Sequence, residues 1–281
     1  MIWSVPCGDY TIYAIEDGYA LRNPLEHFTQ SSEDDWEAHE LEEDGGLRLR
    51  YGCFLLAAAD HRILVDAGMG THRTGDFVAG QTLGALETLG IGPETIEMVI
   101  QTHMHFDHIG GTLSEERAAV FPNARHVHHT TEWEHWSKAE SPGGEAARWI
   151  MEPLLDEGLV DFIDEDLIVG DGVEAVPTPG HTPGHVSVRV KSGSTEVLIG
   201  GDLSNQPIQT RHPEYNLPFD IDHDMATATR RRVFEELSGS GILFLAGHYP
   251  APGIGVIEPL GSEHRFVPLE LDDPIALRRD P

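Results

Sequence analysis

The sequence predicts an α/β protein, and three observations carry that expectation. Short apolar runs with strand-like character recur along the chain, interspersed with amphipathic helical stretches rather than grouped at one end. Several runs stop at a polar residue beside glycine, as in Asp66-Ala-Gly, Gly201-Asp202 and Gly247-His248, and another runs into His103. Strand-end loops converging on one point are how α/β layers usually build sites. The 281 residues, 40% of them hydrophobic, can bury a full core, and no internal repeat or low-complexity tract interrupts them, so one domain over 1–281 is expected.

Element by element, residues 10–14 alternate as a strand before a turn at Asp17-Gly18. Residues 25–46 change character: Ser31/Ser32 precede acidic residues as at a helix start, and Glu40–Gly46 is acidic and glycine-ended. This stretch reads as an insertion, either a lid or dimer element or a solvated excursion. Strands are expected at 47–58 and 62–66, joined by a turn at Asp60-His61. Leu83, Leu86 and Leu89 give residues 80–92 an amphipathic helix ending in glycine, and 96–101 is a buried strand. Thr130/Thr131 cap a helix through Trp136, Pro142-Gly143-Gly144 breaks it, and 145–157 forms another. Strands follow at 159–163, 173–177, 186–190, 196–200 and 242–246, with a helix within 221–237. The triplet Arg230-Arg231-Arg232 on that helix reads as solvated ion pairing, and the tail from Glu258 carries strand-like pieces.

Composition narrows the function classes. A formal net charge of -30 repels phosphate backbones and anionic lipid, which argues against nucleic-acid and membrane-surface partners and favours a neutral small-molecule substrate. No run is long enough for a membrane span, and the N-terminus lacks the basic and apolar regions of a signal peptide, so a cytoplasmic location is expected. Cys7 and Cys53 form no disulfide framework and are too few for a cysteine metal site. Any metal must therefore be held by histidine and carboxylate.

Gln101-Thr-His-Met-His-Phe-Asp-His-Ile-Gly-Gly111 supplies such groups, with His103, His105, Asp107 and His108 inside six residues. His181, Asp202 and His248 bring the candidates to seven. One catalytic zinc takes three protein ligands plus water, so seven suit two ions sharing a carboxylate. Two ions about 3.5–4 Å apart can hold one hydroxide and stabilise both attacking and leaving oxygens. Imidazole and carboxylate suit zinc, with iron, manganese or cobalt as alternatives. Asp66, at a strand end before a glycine turn, is either a turn-former or a support for a ligand. His185 supports its turn; His126, His128 and His129 are packing or surface residues; His212 and His223 sit in a loop able to approach the site.

His103-x-His105-x-Asp107-His108 with Gly110-Gly111, followed in order by Gly180-His181, Gly201-Asp202 and Gly247-His248, resembles the metallo-β-lactamase-fold hydrolase superfamily over roughly residues 10–260. The resemblance implies a four-layer αβ/βα sandwich of two mixed sheets with two divalent metals at their edge. It implies one metal at His103, His105 and His181, another at Asp107, His108 and His248, and Asp202 bridging. Phe106 and the run Thr178–His185 are similar to N-acyl-homoserine lactonases; 201–209, 219–222 with 228–232, and 247–255 look like the methyl-parathion-hydrolase branch. The resemblance therefore implies a hydrolase of lactones or carboxylic esters, in which Asp107 positions the nucleophile and shuttles a proton. Phosphotriester or thioester hydrolysis and a non-catalytic metal-sensing role are the alternatives. Asn205 stands where lactonases of one well-known type carry a tyrosine against the substrate carbonyl; it can donate to a developing oxyanion or serve its turn. Phe106, Asn205 and Trp136 are the candidate substrate contacts, and a homodimer is suggested by the resemblance alone.

Overall fold

In the computed structural model every residue is described except 38, 40, 60, 72–78, 165, 166, 171 and 278–281. The strands are β1 (Ile2–Cys7), β2 (Tyr10–Arg22), β3 (Leu47–Ala57), β4 (Arg62–Val65), β5 (Met98–Ile100), β6 (Arg125–His129), β7 (Val160–Ile163), β8 (Leu167–Gly170), β9 (Val173–Pro177), β10 (Val186–Ser192), β11 (Thr195–Ile199), β12 (Leu243–Leu245), β13 (Ile254–Leu260) and β14 (Glu263–Pro268). They form two seven-stranded sheets, β1 to β7 in order and β14 back to β8. Both sheets are mixed: β4 to β7 run parallel, as do β11 and β12, and the other neighbours are antiparallel.

Alternation along the strands decides what each face buries. Val186, Val188 and Val190 of β10 point inward with Ile199 and Leu245, and meet Ile12, Phe54, Leu56, Val65 and Ile100 of the other sheet. The helices are α1 (Pro24–His27), α2 (Thr82–Thr88), α3 (Phe106–Ile109), α4 (Thr130–Trp136), α5 (Pro142–Asp156), α6 (Ile208–Arg211) and α7 (His223–Leu237), of which α2 and α7 each pack on a sheet face. Ala85 and Leu86 of α2 pack on Leu55, Leu64 and Val99, while Val233, Phe234 and Leu237 of α7 pack on Leu198 and Phe244. The result is the four-layer αβ/βα sandwich. Burying each such aliphatic or aromatic side chain contributes about 1.5–3 kcal/mol before entropy is counted. No helix among the described residues is long and apolar enough to cross a membrane.

Several local expectations change. β1, not anticipated, pairs with β2. There is no turn at Asp17-Gly18: β2 continues through a bulge there, and the buried Asp17 carboxylate instead accepts from the amides of Met69, Gly80 and Thr82. Asp60 of the expected hairpin turn lies outside the described residues. Leu83 is exposed while Leu86 is buried, because strict three-residue spacing drifts around a helix of 3.6 residues per turn. α4 is capped by the His129 ring, which accepts from the Thr131 amide, rather than by a threonine. α5 begins at Pro142 itself, as a proline at the first helical position allows, with the Ser141 hydroxyl accepting from Gly144. Residues 25–46 are not a bare solvated excursion: Phe28 and Trp36 are buried with Leu47, Ile208 and Leu217.

Arg230 departs furthest from expectation. Arg231 and Arg232 are on the outside, but Arg230 is fully buried and donates to Pro213 O, Asn216 Oδ1 and Asp220 Oδ2. Solvated ion pairing describes Arg231, which pairs with Glu214, while Arg232 donates to the Pro177 carbonyl.

Candidate metal centre

Five strand ends deliver the site. β4 ends at Asp66 and β5 runs into Thr102-His103; the loops after β9, β11 and β12 carry His181, Asp202 and His248. His105 is the residue before α3, so Asp107 and His108 fall in that helix's first turn. Gly110 and Gly111 follow because the 67–70 loop lies against them: a Cβ on Gly111 would collide with the Ala67 carbonyl. Gly201 has φ +55°, and a Cβ there would lie 2.7 Å from His185 Nε2.

The seven side chains fall into two groups that meet at Asp202. His105 Nδ1 lies 3.0 Å from His103 Nε2 and 3.0 Å from His181 Nε2, and Asp202 Oδ2 lies 3.2 Å from His181 Nε2. On the other side Asp202 Oδ1 lies 3.2 Å from His108 Nε2 and 3.1 Å from His248 Nε2, with Asp107 Oδ2 3.6 Å from each ring. Bonds of about 2.0–2.1 Å at tetrahedral angles place donor atoms about 3.3 Å apart. Four rings turn Nδ1–H away: His181 donates to Asp220 Oδ1 at 2.7 Å, His108 to Asp66 Oδ2 at 2.8 Å, His103 to Thr102 Oγ1 at 3.1 Å, and His248 to the Arg50 carbonyl. The Nε2 atoms of those rings, Nδ1 of His105 and the carboxylate oxygens are thus turned toward one another, and His108 Nε2 and Asp202 Oδ1 are buried without a hydrogen-bond partner. Such a set suits cations: His103, His105, His181 and Asp202 could hold one, and Asp107, His108 and His248 another, with Asp202 presenting one oxygen to each.

The electrostatics say the same. Burial pulls His181 down, but Asp202 and Asp220 outweigh it and raise the ring to about 9. His108 and His248 rise for the same reason, against burial, with Asp202 the leading attraction. Asp202, despite burial, is held well below the ordinary carboxylate range by His248, His108 and His181. The carboxylates draw positive charge into the cluster, whether as protons or as metal ions.

The cluster opens onto a cavity of about 480 Å³. Leu49, Met69, Phe106, Leu217 and Phe219 make its apolar wall; Tyr51, Asn205, Arg22 and His27 are its polar members beyond the cluster. Phe106 and Asn205 therefore line it, with Asn205 Nδ2 donating to Asp202 Oδ2 at 3.1 Å. Trp136 does not: it packs edge-on to His105, centroids 5.3 Å apart, and donates to Glu132. His212 and His223 are not in the lining. A second hollow of about 540 Å³ beside Trp36 and Glu33 holds none of the clustered residues.

Residues 52–258 match the metallo-β-lactamase superfamily. The chain belongs to that superfamily. It is 28% identical over 223 residues to the N-acyl homoserine lactonase AiiA of Bacillus thuringiensis subsp. kurstaki, spanning 72% of this chain and 82% of the relative. A probable metallo-hydrolase of Mycobacterium tuberculosis is 30% identical over 186 residues, 56% of this chain and 57% of the relative. Among solved structures, AidC, a dizinc quorum-quenching lactonase in complex with a product, N-hexanoyl-L-homoserine, superposes with TM-score 0.89 at 21% identity over 97% of this chain and 98% of its own. The hydrolase AbOPH superposes with TM-score 0.87 at 23% identity over 97% and 98%. This superfamily member is a metal-dependent hydrolase.

Around the cluster of this metallo-β-lactamase-fold chain stand four supports: Asp220 and Glu132, which the sequence did not single out, and Asp66 and His185, which it did. Asp220 binds His181 and is itself held by Arg230 and the Leu217 amide. Glu132, buried at the start of α4, accepts from Met104 N at 2.9 Å, Gly184 N at 2.9 Å and Trp136 Nε1 at 2.7 Å, tying the His103–His108 loop to the His181 loop. Asp66, at φ +58°, is held by Thr102 N, Thr102 Oγ1 and His108. His185 does more than support a turn: its Nε2 accepts from the Asp202 amide at 2.9 Å, and burial, then His181, keeps the ring neutral at about 3.

Proposed function

We propose that the chain is a dinuclear metal-dependent hydrolase that opens a lactone or cleaves a carboxylic ester, with His103, His105, His181 and Asp202 holding one ion, Asp107, His108 and His248 the other, and Asp202 shared. The observation that carries this reading is Asp202: one carboxylate turns Oδ2 to the first group and Oδ1 to the second, at the floor of an apolar cavity. Two divalent ions, zinc by analogy with the dizinc lactonase AidC, would supply Lewis acidity toward a carbonyl oxygen and a water activated near neutral pH.

The chain's own residues do the rest. Asp66, Asp220, Thr102 and the Arg50 carbonyl fix the ligand rings, so little reorganisation accompanies turnover. Asp107, its side chain 22% exposed at the cavity floor, orients the attacking water, takes its proton at Oδ and delivers it to the leaving alkoxide as the acyl C–O bond breaks. Leu49, Met69, Phe106, Leu217 and Phe219 receive the acyl part and exclude water. Segment 25–46 contributes a wall of the cavity through His27. The lactone preference is supported by the N-acyl homoserine lactonases among its relatives. The test is a metal-replete screen over acyl lactones, aryl esters, thioesters and phosphotriesters, with metal content measured on the same sample. Two bound metals with no lactone opened and no ester cleaved would sink the reading.

A further inference from the structure

Tyr51 reaches the cavity from β3, and the alternation of that strand fixes its direction. Leu49 and Tyr51 both line the cavity, while Arg50 between them turns away to Glu16 and the Tyr249 carbonyl. The strand is tied to the His248 loop on either side of Tyr51. The Arg50 carbonyl accepts from His248 Nδ1, and a Cβ on Gly52 would lie 2.8 Å from the Gly247 Cα and carbonyl oxygen, so the two backbones touch there. Between these contacts the Tyr51 ring stands edge-to-face with His248, centroids 5.7 Å apart at 82°. The residue is 5% exposed, and Asp107 and Asp202 are the carboxylates that act on its hydroxyl. Tyr51 therefore stands on the side of Asp107, His108 and His248, whereas Asn205 binds Asp202 Oδ2 on the side of His181.

The hydroxyl has a defined polarity as well. Arg22 hydrogen-bonds the Tyr51 side chain. A guanidinium only donates, so the phenol oxygen is the acceptor in that bond and its own O–H is a donor in another direction. An ordinary phenol keeps that hydrogen at neutral pH. In the reaction proposed above, Asp107 delivers the proton of the attacking water to the leaving oxygen. The leaving oxygen must then come to Asp107, the side on which Tyr51 stands.

We infer that Tyr51 is a catalytic residue that donates a hydrogen bond to the leaving oxygen of the substrate. The inference rests on the hydrolase reading of the cavity and deepens it. As the acyl C–O bond breaks, its electron pair passes to the leaving oxygen, and the Tyr51 O–H stabilises the charge that collects there. The proton that ends on that oxygen comes from the attacking water through Asp107, and Tyr51 keeps its own. The consequence is a substrate class: lactones and alkyl esters, which expel an alkoxide, depend on Tyr51 far more than aryl esters, whose phenolate spreads its own charge.

The test compares the metal-loaded wild type with Tyr51→Phe on an alkyl ester and an aryl ester of one acyl group. Tyr51→Phe is expected to lower kcat/KM for the alkyl ester about 10- to 100-fold, the loss of a hydrogen bond to a charge-bearing oxygen, and for the aryl ester by no more than about threefold. The ratio of the two rates within one variant does not depend on how much of it is folded or loaded with metal. A second readout needs no turnover. A 4-hydroxyalkanoic acid carries the former leaving oxygen of a lactone as its hydroxyl. Calorimetry on the wild type should show it binding about 3- to 10-fold tighter than the alkanoic acid of equal length, a preference that Tyr51→Phe should abolish. Equal losses on the two esters, no loss on either, or a hydroxy-acid preference that survives Tyr51→Phe would overturn the inference. If the wild type hydrolyses neither ester, the hydrolase reading fails on that result. Calorimetry still decides Tyr51, because equal or absent binding of the two acids by the wild type also overturns its role.

Discussion

Asp220→Asn tests how the site is held together. Both oxygens of this buried carboxylate are committed: Oδ1 accepts from His181 Nδ1 at 2.7 Å, and Oδ2 from Arg230 Nη1 at 3.3 Å and the Leu217 amide at 3.0 Å. Asparagine keeps the shape but offers one acceptor and one NH2. In either orientation a donor faces a donor, at His181 or at the Arg230–Leu217 pair. Loss of such an outer partner weakens metal binding about 10- to 100-fold. That is about 1.4–2.7 kcal/mol at the ion held by His103, His105, His181 and Asp202. The metal-free chain should lose about 1–3 kcal/mol of stability, the cost of one unsatisfied buried donor. Arg230 keeps Pro213 O at 2.7 Å, which limits the damage. The assay is competition with a chromophoric chelator, reading two stoichiometric steps, beside chemical denaturation of the metal-free protein. One step should weaken while the other holds, and Asp66→Asn, which disturbs His108 instead, should weaken the opposite step. Two equally weakened steps, or a drop in stability with both affinities unchanged, would refute the second-layer role of Asp220.

Three further outcomes follow from the same geometry. Glu132→Ala should destabilise the chain by about 3–5 kcal/mol in urea unfolding, because two backbone amides and the Trp136 indole lose their buried acceptor; a cost under about 1 kcal/mol would be inconsistent with that. His126 and His128 are buried on β6 and neutral, lowered by burial to about 4 and about 3. The unfolded chain therefore takes up their protons first. Stability should fall as pH drops below about 6.5 and keep falling to the folded values, by about 2 kcal/mol per ring at pH 5. Denaturant midpoints at pH 7 and pH 5 measure this, and replacing both rings by leucine should flatten the slope. Finally, turnover of a neutral ester should be insensitive to added salt, whereas an ester carrying a remote carboxylate should gain as salt screens the -30 chain; an anionic substrate favoured at low salt would contradict this.

The clustered side chains were legible because their geometry is local. A residue before a short helix and its first turn bring His105, Asp107 and His108 together within four positions, so the chemistry is written contiguously. His181, Asp202 and His248 were legible as polar residues after glycine at strand ends, and the crowding at Gly201 shows why glycine stands there. Asp220 and Glu132 were not legible as supports, since a carboxylate acquires that role only from the ring or amide the fold places against it. Arg230 carried a signal that the triplet obscured. Ala226, Val233, Phe234 and Leu237 form the buried stripe of α7, and Arg230 sits four residues from Ala226 and from Phe234, on that face. Helical period, applied to the three arginines separately, separates one inward residue from two outward ones.

The charge around the site connects its support to its substrate. Asp107 and Asp202 stand in the cluster, Asp66 and Asp220 directly behind it, and Arg230 is paired to Asp220. Two divalent ions would offset those four carboxylates, leaving the loaded site only the single positive charge of Arg230, which is buried and tied to Asp220. Among the described residues lining the cavity, Arg22 is the fixed cation, and it already hydrogen-bonds the Tyr51 side chain. The remote surface charge is screened beyond about 8 Å at physiological ionic strength, so these local groups decide what enters. An ester or lactone brings no charge to desolvate, and its negative charge develops only on the carbonyl oxygen during attack. Differential stabilisation of that oxygen, rather than attraction of a charged ground state, is what such an arrangement favours.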